Sequence, residues 1–315
     1  MRQIIRQGGN PVQGEAVLIA GATASGKSAA ALALAEAMGG VVINTDSMQV
    51  YREARILTAR PGEEEMARVP HLLYGHVPVS ENYSVARFVR DAAAALKTAR
   101  SMGRVPIFVG GTGLYFAALT QGLVDMPPIS RELREALRVR RQQIGAEAFH
   151  AALAARDPAA AARLSPSDTT RVLRAYEVFE ATGRPLAEWQ EQDSSPPLLG
   201  ADSIGVVLDP PREDLYRRID ARFLGMLAAG ALEEAARLRD GDPAQPASKI
   251  LGLRELWAVL DGVMSLSDAT VAAQLASRHY AKRQMTWFRN RMAGWRRLNG
   301  EEVDGFVAEA GALGE

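Results

Sequence analysis

The sequence predicts an α/β fold, a parallel sheet flanked by helices and interrupted by a helical insertion. Three observations carry that expectation. Short apolar runs at Ala16–Ala20, Val41–Ile43, Val105–Val109 and Ile204–Leu208 alternate with longer stretches of helical periodicity, the pattern of buried parallel strands joined by crossover helices. The first run opens directly into Gly21-Ala22-Thr23-Ala24-Ser25-Gly26-Lys27-Ser28, which fits the phosphate-loop pattern G-x-x-x-x-G-K-[ST] in its strand–loop–helix setting. Between about 123 and 197 the strand signal disappears and helical stretches follow one another. The expected fold is therefore α/β, a P-loop NTPase-like parallel sheet with a helical insertion domain. Its expected parts are 14–122 (first part of the core), 123–197 (insertion) and 198–315 (completion of the core and basic C-terminal helices).

The loop specifies a ligand class. Gly21 and Gly26 let the backbone wrap closely around oxygens, and successive N–H groups form an anion nest at a helix N-terminus. Lys27 adds a point charge and Ser28 a hydroxyl suited to Mg²⁺. An ordinary glycine-rich turn needs neither residue. A polyphosphorylated ligand follows, but the loop alone does not make it a nucleotide.

Composition narrows the alternatives. The chain has 315 residues, 47% apolar and 23% charged, with formal net charge zero. RNA binding would thus rest on local basic patches, not on a global field. The chain has no cysteine, which excludes disulfides, thiol nucleophiles and cysteine-bound zinc and fits a reducing cytoplasm. No apolar run approaches the ~20 residues of a membrane helix. The apolar part of the first residues is too short for a secretory signal, and the stretch up to Gly14 reads as a frayed tail.

In chain order, the helix after the loop, Ala29–Met38, ends at Gly39-Gly40. The second strand delivers Asn44-Thr45-Asp46-Ser47 at its C-terminal end, where parallel sheets bind ligands. Asp46 faces that crevice or caps a helix; position alone allows both. Residues 52–82 show little periodicity, with Pro61, Pro70 and Pro78 breaking helices. Ser84 caps a helix carrying Val85, Phe88, Val89, Ala92 and Leu96, which Gly103 ends. The strand Val105–Val109 runs into Gly110-Gly111-Thr112-Gly113, so the Thr112 hydroxyl either faces the crevice or is incidental to a tight turn.

The insertion reads as helices at Arg131–Gln143, Ala146–Ala155 and Thr169–Ala181, followed by a linker at Asp193-Ser194-Ser195-Pro196-Pro197. After Pro210-Pro211 a helix carries the apolar arc Leu215, Ile219, Phe223 and Met226. At ~100° per residue Arg222 falls in the middle of that arc, so it is ion-paired or faces a ligand. Arg217 and Arg218 lie outside the arc and read as solvated. Another helix is expected at Leu251–Leu260. The last expected helix, Ala269–Asn299, holds seven Lys/Arg and no acid, with Arg278, Lys282, Arg289 and Arg296 on one face and Tyr280 and Trp287 opposite. A basic stripe backed by aromatics suits a phosphate backbone, and a core helix with inward aromatics shows the same pattern.

The strand Val105–Val109 ends in glycines, not in the aspartate that holds the magnesium shell of hydrolytic motors and GTPases. With Asp46 opposite the loop, a group transferase is favoured: a small-molecule or nucleoside kinase, or an enzyme whose leaving group is pyrophosphate. A non-catalytic RNA-binding protein with a degenerate loop is the non-enzymatic alternative.

Five separated blocks resemble the tRNA dimethylallyltransferase (isopentenyltransferase) family. They are Gly21–Ser28; Asp46-Ser47-Met48-Gln49-Val50-Tyr51; Val109–Tyr115; Thr170–Val178 with Thr182-Gly183; and Tyr280-Ala281-Lys282-Arg283-Gln284-Met285-Thr286-Trp287-Phe288-Arg289. The resemblance implies transfer of a dimethylallyl group from dimethylallyl pyrophosphate to the exocyclic amine of the adenosine 3′ of the anticodon, in tRNAs reading codons that begin with U. It implies that Gly21, Ala22, Thr23, Ala24, Ser25, Gly26, Lys27 and Ser28 hold the pyrophosphate, with Mg²⁺ on Ser28. Asp46 would be the general base, Arg222 and Lys27 would neutralise the leaving group, and Thr112 would bond at the reaction centre. The tRNA anticodon stem-loop would be held by Asp46, Ser47, Met48, Gln49, Thr112, Arg134, Thr170, Arg171, Val172, Leu173, Arg174, Lys282 and Arg283, with the adenine flipped into a channel between core and insertion. A cytoplasmic monomer with no membrane partner is expected. The chain departs from the family pattern at Ala22, at Ser28, at Glu53–Pro61, at His71–Gly75, at Thr170-Arg171 and at Ile250–Arg254.

Overall fold

The computed structural model of the chain describes residues 16–124, 126, 128–191, 194–239 and 246–311. The expected N-terminal tail up to Gly14 lies outside them, as do Asp125 and Pro127 at the start of the expected insertion and Asp193 of the expected linker. The chain divides into two compact units, one of Met1–Thr120 with Pro197–Glu315 and one of Gln121–Pro196.

The first unit holds a six-stranded sheet of β1 (Val17–Gly21), β2 (Gly40–Asn44), β3 (His71–Leu72), β4 (Val105–Gly110), β5 (Ile204–Leu208) and β6 (Arg296–Leu298), in the order β3-β2-β4-β1-β5-β6. Every pairing is parallel, giving the P-loop NTPase-like sheet. All five residues of β1 and of β2 are buried, and successive side chains divide between two cores. Leu18, Val41, Ile43, Phe108 and Val207 pack on one face, and Val17, Ile19, Val42, Ile107 and Val206 on the other. The central β1, flanked by β4 and β5, brings the phosphate loop to the middle of the sheet's C-terminal edge.

One local expectation holds, the break between the first two helices of the insertion, and two need correction. Residues 52–82 are not devoid of regular structure: the helix Glu63–Arg68 and β3 lie there. The helix Arg131–Ala154 runs across both segments expected as separate helices, but Gly145 (φ 80°, ψ 171°) breaks it where the expected gap falls. The last expected helix is in fact Leu266–Arg291, then β6, then the helix Gly300–Gly311. Met292 leaves the helical region (φ −126°, ψ 42°), and the chain then pairs with β5, covering a sheet edge that would otherwise present unpaired backbone.

The second unit packs Arg131–Ala154, Pro158–Arg163 and Thr169–Thr182 around Phe149, Leu153, Val172 and Tyr176. The Phe149 and Tyr176 rings meet edge-on at 4.9 Å. Ser130, Asp157 and Asp168 each accept a backbone N–H at a helix start. Among the described residues, no helix is long and apolar enough to cross a membrane.

Candidate active site

The phosphate loop turns through two left-handed residues, Ala24 (φ 62°) and Gly26 (φ 93°), before the helix Lys27–Met38 begins. For Ala24 that conformation costs about 1–2 kcal/mol, strain of the kind held at ligand sites. Lys27 is buried and its Nζ donates to the Ala22 carbonyl at 3.1 Å. Burial pushes its ammonium down to about 8, with the Asp46 charge opposing the shift and Arg222 adding to it. An anion in the loop supplies the compensation that burial removes.

Asp46 follows β2 and does not cap a helix. Its Oδ1 accepts the Met48 N–H at 2.9 Å, and its own N–H donates to Asn44 Oδ1 at 2.9 Å. The turn is fixed to the end of β4: Thr45 N–H donates to Val109 O at 2.7 Å and Ser47 N–H to Thr112 Oγ1 at 2.9 Å. Thr112 Oγ1 also donates to Ser47 Oγ at 3.2 Å. The Thr112 hydroxyl is thus bonded within the Asp46 turn, and Thr112 is not among the residues that line the cavity of Lys27, Asp46 and Arg222.

Lys27, Ser28, Asp46 and Arg222 line one cavity of about 340 Å³, together with Ser47, Met48 and Gln49. Arg222 lies on the helix Arg212–Ala228, whose buried face is Leu215, Ile219 and Phe223. Among the described residues it forms no ion pair or hydrogen bond. Burial lowers its guanidinium below the usual arginine range, and Asp46 opposes that. Its helical phase leaves an ion pair or a ligand-facing position open; Arg222 lines the cavity and has no ion-pair partner among the described residues. Gln49 is buried, and its Nε2 donates to the carbonyls of Thr58 and Ala59, so it shapes the wall formed by Leu57 and Thr58.

Sequence reasoning missed seven residues of this cavity: Leu57, Thr58, Lys249, Ile250, Leu251, Tyr280 and Gln284. Tyr280, expected opposite the basic face, lines it, and burial raises its phenol, reinforced by the Asp46 charge. Lys249 and Ile250 reach it from the turn Pro246–Lys249 and its end. Gln284 is the most consequential. It is buried, accepts the Thr23 N–H of the phosphate loop at 2.9 Å and donates to Gly111 O at 2.8 Å. One side chain thus ties the helix Leu266–Arg291 to both loops. Gln284→Leu is expected to leave both backbone groups unpaired and to destabilise the fold by about 1–3 kcal/mol for each, measured as a fall in the urea midpoint at unchanged m-value.

The residues expected to hold RNA separate into two groups. Lys282, Arg283, Thr170 and Arg171 are exposed; Arg283 lies over the Tyr280 ring and Arg171 pairs with Asp168. Arg174 is half-buried beside Glu177 and Met126, Arg134 Nε is buried with no hydrogen-bond partner among the described residues, and Leu173 packs against the second unit's core. Val172 is 1% exposed within that core, so its side chain packs inward and is not presented at the surface. The basic stripe is also shorter than expected. Arg278 is held by Asp220, and Arg296 lies on β6 beside Glu309. Arg217, expected to be solvated, is exposed but pairs with Asp214.

Comparisons with known proteins agree with this geometry. The IPP transferase family model matches residues 49–291, and the isopentenyl transferase model matches residues 14–81. The tRNA dimethylallyltransferase of Nitrobacter hamburgensis is 56% identical over 293 residues, 92% of either chain. That of Rhodopseudomonas palustris is 54% identical over 294 residues, 93% of this chain and 92% of the relative. Among solved structures, the tRNA isopentenylpyrophosphate transferase of Bacillus halodurans aligns with a TM-score of 0.67 at 33% identity, covering 96% of this chain and 97% of that one. A eukaryotic dimethylallyltransferase acting on tRNA gives 0.75 at 29% identity, covering 91% and 74%. The chain belongs to the IPP transferase family, the prenyl-transferring enzymes called tRNA dimethylallyltransferases.

Proposed function

We propose that this chain moves the dimethylallyl group of dimethylallyl pyrophosphate onto the exocyclic amine of the adenosine 3′ of the anticodon, in tRNAs that read codons beginning with U. The observation that carries this reading is the meeting of Lys27, Ser28, Asp46 and an unpaired Arg222 in one cavity. Cations and a carboxylate lining one cavity suit a reaction that releases an anion and a proton at once.

The amine nitrogen forms a bond to C1 of the prenyl group as the C1–O bond breaks, its electron pair leaving on pyrophosphate. Lys27, Arg222 and the loop N–H groups hold the charge that builds there. Asp46 takes the amine proton, a task within a carboxylate's reach because the proton becomes acidic as the N–C bond forms. Thr112 and Gln284 keep the two loops at a fixed separation. Magnesium fits this donor set. Among the described residues there is no cluster of three or more His, Cys, Asp or Glu, and Mg²⁺ is commonly held by one or two protein oxygens, water and substrate phosphate. Ser28 would hold it, and when bound it would supply further neutralisation of the pyrophosphate. Lys282, Arg283, Thr170, Arg171, Arg134 and Arg174 are the candidates to hold the stem-loop, whose adenine must leave its stack to be reached.

The test is incubation with dimethylallyl pyrophosphate, Mg²⁺ and unmodified tRNA, followed by mass analysis of the nucleoside digest. Prenylated adenosine at the position 3′ of the anticodon is expected. Its absence, or ATP consumption without RNA, overturns the reading in favour of a kinase.

A further inference from the structure

Beside the phosphate loop, next to the main cavity, lies a recess of about 40 Å³. The two share Thr23, Leu57, Arg222 and Leu251, and the recess is closed by Ile219, Phe223, Met226 and Ser277. Its walls are mainly hydrocarbon: Leu57, Ile219 and Phe223 are buried, and Met226 and Leu251 are half-buried. A mainly apolar recess adjoining a cavity lined by Lys27 and Arg222 matches a ligand with an anionic head and a short hydrocarbon tail.

We propose that this recess takes the branched end of the prenyl donor, and that Met226 and Leu251 limit the donor to one five-carbon unit. The inference rests on the function proposed above and extends it to donor selection. A water requires roughly 10–15 Å³ of comparable space, so the recess has room for about three to four heavy atoms. The branched end of a dimethylallyl group, one carbon and two methyls, is of that size. A ten-carbon donor carries a further isoprene unit that meets Phe223 and Met226. Ile219 and Phe223 belong to the folded core, so shortening them disturbs packing. Met226 is half-buried and unbranched, and its removal lengthens the recess toward solvent.

The experiment compares kcat/KM for dimethylallyl and geranyl pyrophosphate, using the full chain and a stem-loop RNA acceptor. In Met226→Ala the ratio of ten-carbon to five-carbon use is expected to rise at least ~10-fold, within the roughly 10- to 200-fold range of a hydrophobic size mismatch. Leu251→Phe fills the recess instead. It is expected to raise the KM for the five-carbon donor by about 10-fold or more while inhibition by inorganic pyrophosphate, which has no tail, stays close to wild type. An unchanged ratio in Met226→Ala, or equal weakening of donor and pyrophosphate in Leu251→Phe, overturns the assignment. If the wild-type chain transfers no five-carbon group, the proposed function fails and this inference with it. If transfer occurs and selectivity does not move, only the recess assignment fails.

Discussion

Replacing Asp46 by alanine or asparagine is expected to lower turnover by about 10²–10⁴-fold while stem-loop affinity is retained. The two variants separate chemistry from shape. Asparagine keeps an oxygen for the Met48 N–H, so the turn that fixes residues 46–48 survives, yet it cannot accept the amine proton. If the carboxylate acts as base, both variants lose turnover and asparagine is no better than its lack of basicity allows. The donor responds in the opposite sense. Asp46 is an anion on the wall of a cavity that receives another anion, so its neutralisation should lower the KM for dimethylallyl pyrophosphate as kcat falls. Steady-state kinetics with each substrate varied, plus RNA binding by anisotropy, measures all three quantities. Equal losses of turnover and RNA affinity would remove Asp46 from the chemistry.

Arg222→Met should lower kcat/KM by about 10²–10³-fold, the cost of one well-placed charge donor at a developing oxyanion. Its stability effect has the other sign. In the free chain the half-buried guanidinium loses part of its solvation, which the Asp46 charge offsets only in part, and it has no ion-pair partner among the described residues, an arrangement that costs folding energy until an anion arrives. The methionine variant should therefore melt at a higher temperature than wild type without ligand and gain less from pyrophosphate. Thermal melts with and without pyrophosphate, beside the kinetics, test the pair of effects. A variant that is less stable and still fully responsive to pyrophosphate would assign Arg222 to the scaffold. Arg222→Lys is not expected to restore activity, since a point charge does not reproduce the planar fork.

Much of this molecule is legible in its sequence, for reasons that particular residues make plain. The phosphate loop and β1, β2, β4 and β5 announce themselves as apolar runs beside glycine-rich turns, because strands buried on both faces tolerate little else. Arg222 could be singled out because helical phase alone sets a charge among Ile219, Phe223 and Met226. The edge strands could not. β3 has two residues and β6 three, two of them arginines, so neither shows a period; both exist because a neighbouring strand offers its backbone. Gln284 was invisible as a site residue for a related reason. A lone glutamine carries no compositional signal, and its partners lie 261 and 173 positions away. Lys249 and Tyr280 enter the cavity through tertiary packing of the same kind.

The run Gly110-Gly111-Thr112-Gly113 has a consequence for how the enzyme comes into being. A β-carbon on Gly110 would meet the Thr45 carbonyl oxygen at 2.1 Å, one on Gly111 the Gln284 amide at 2.3 Å, and one on Gly113 the Trp287 ring at 2.2 Å. Two of these three neighbours come from a single helix near the other end of the chain. A ribosome that has released the phosphate loop and Asp46 has therefore made the parts of a catalytic centre without the side chains against which the glycine run closes. The nascent chain must wait for residues 284–287 to emerge before the cleft can take its final shape. Competence for prenyl transfer would then arrive late in synthesis and in one step, with separations this long along the chain making that step slow.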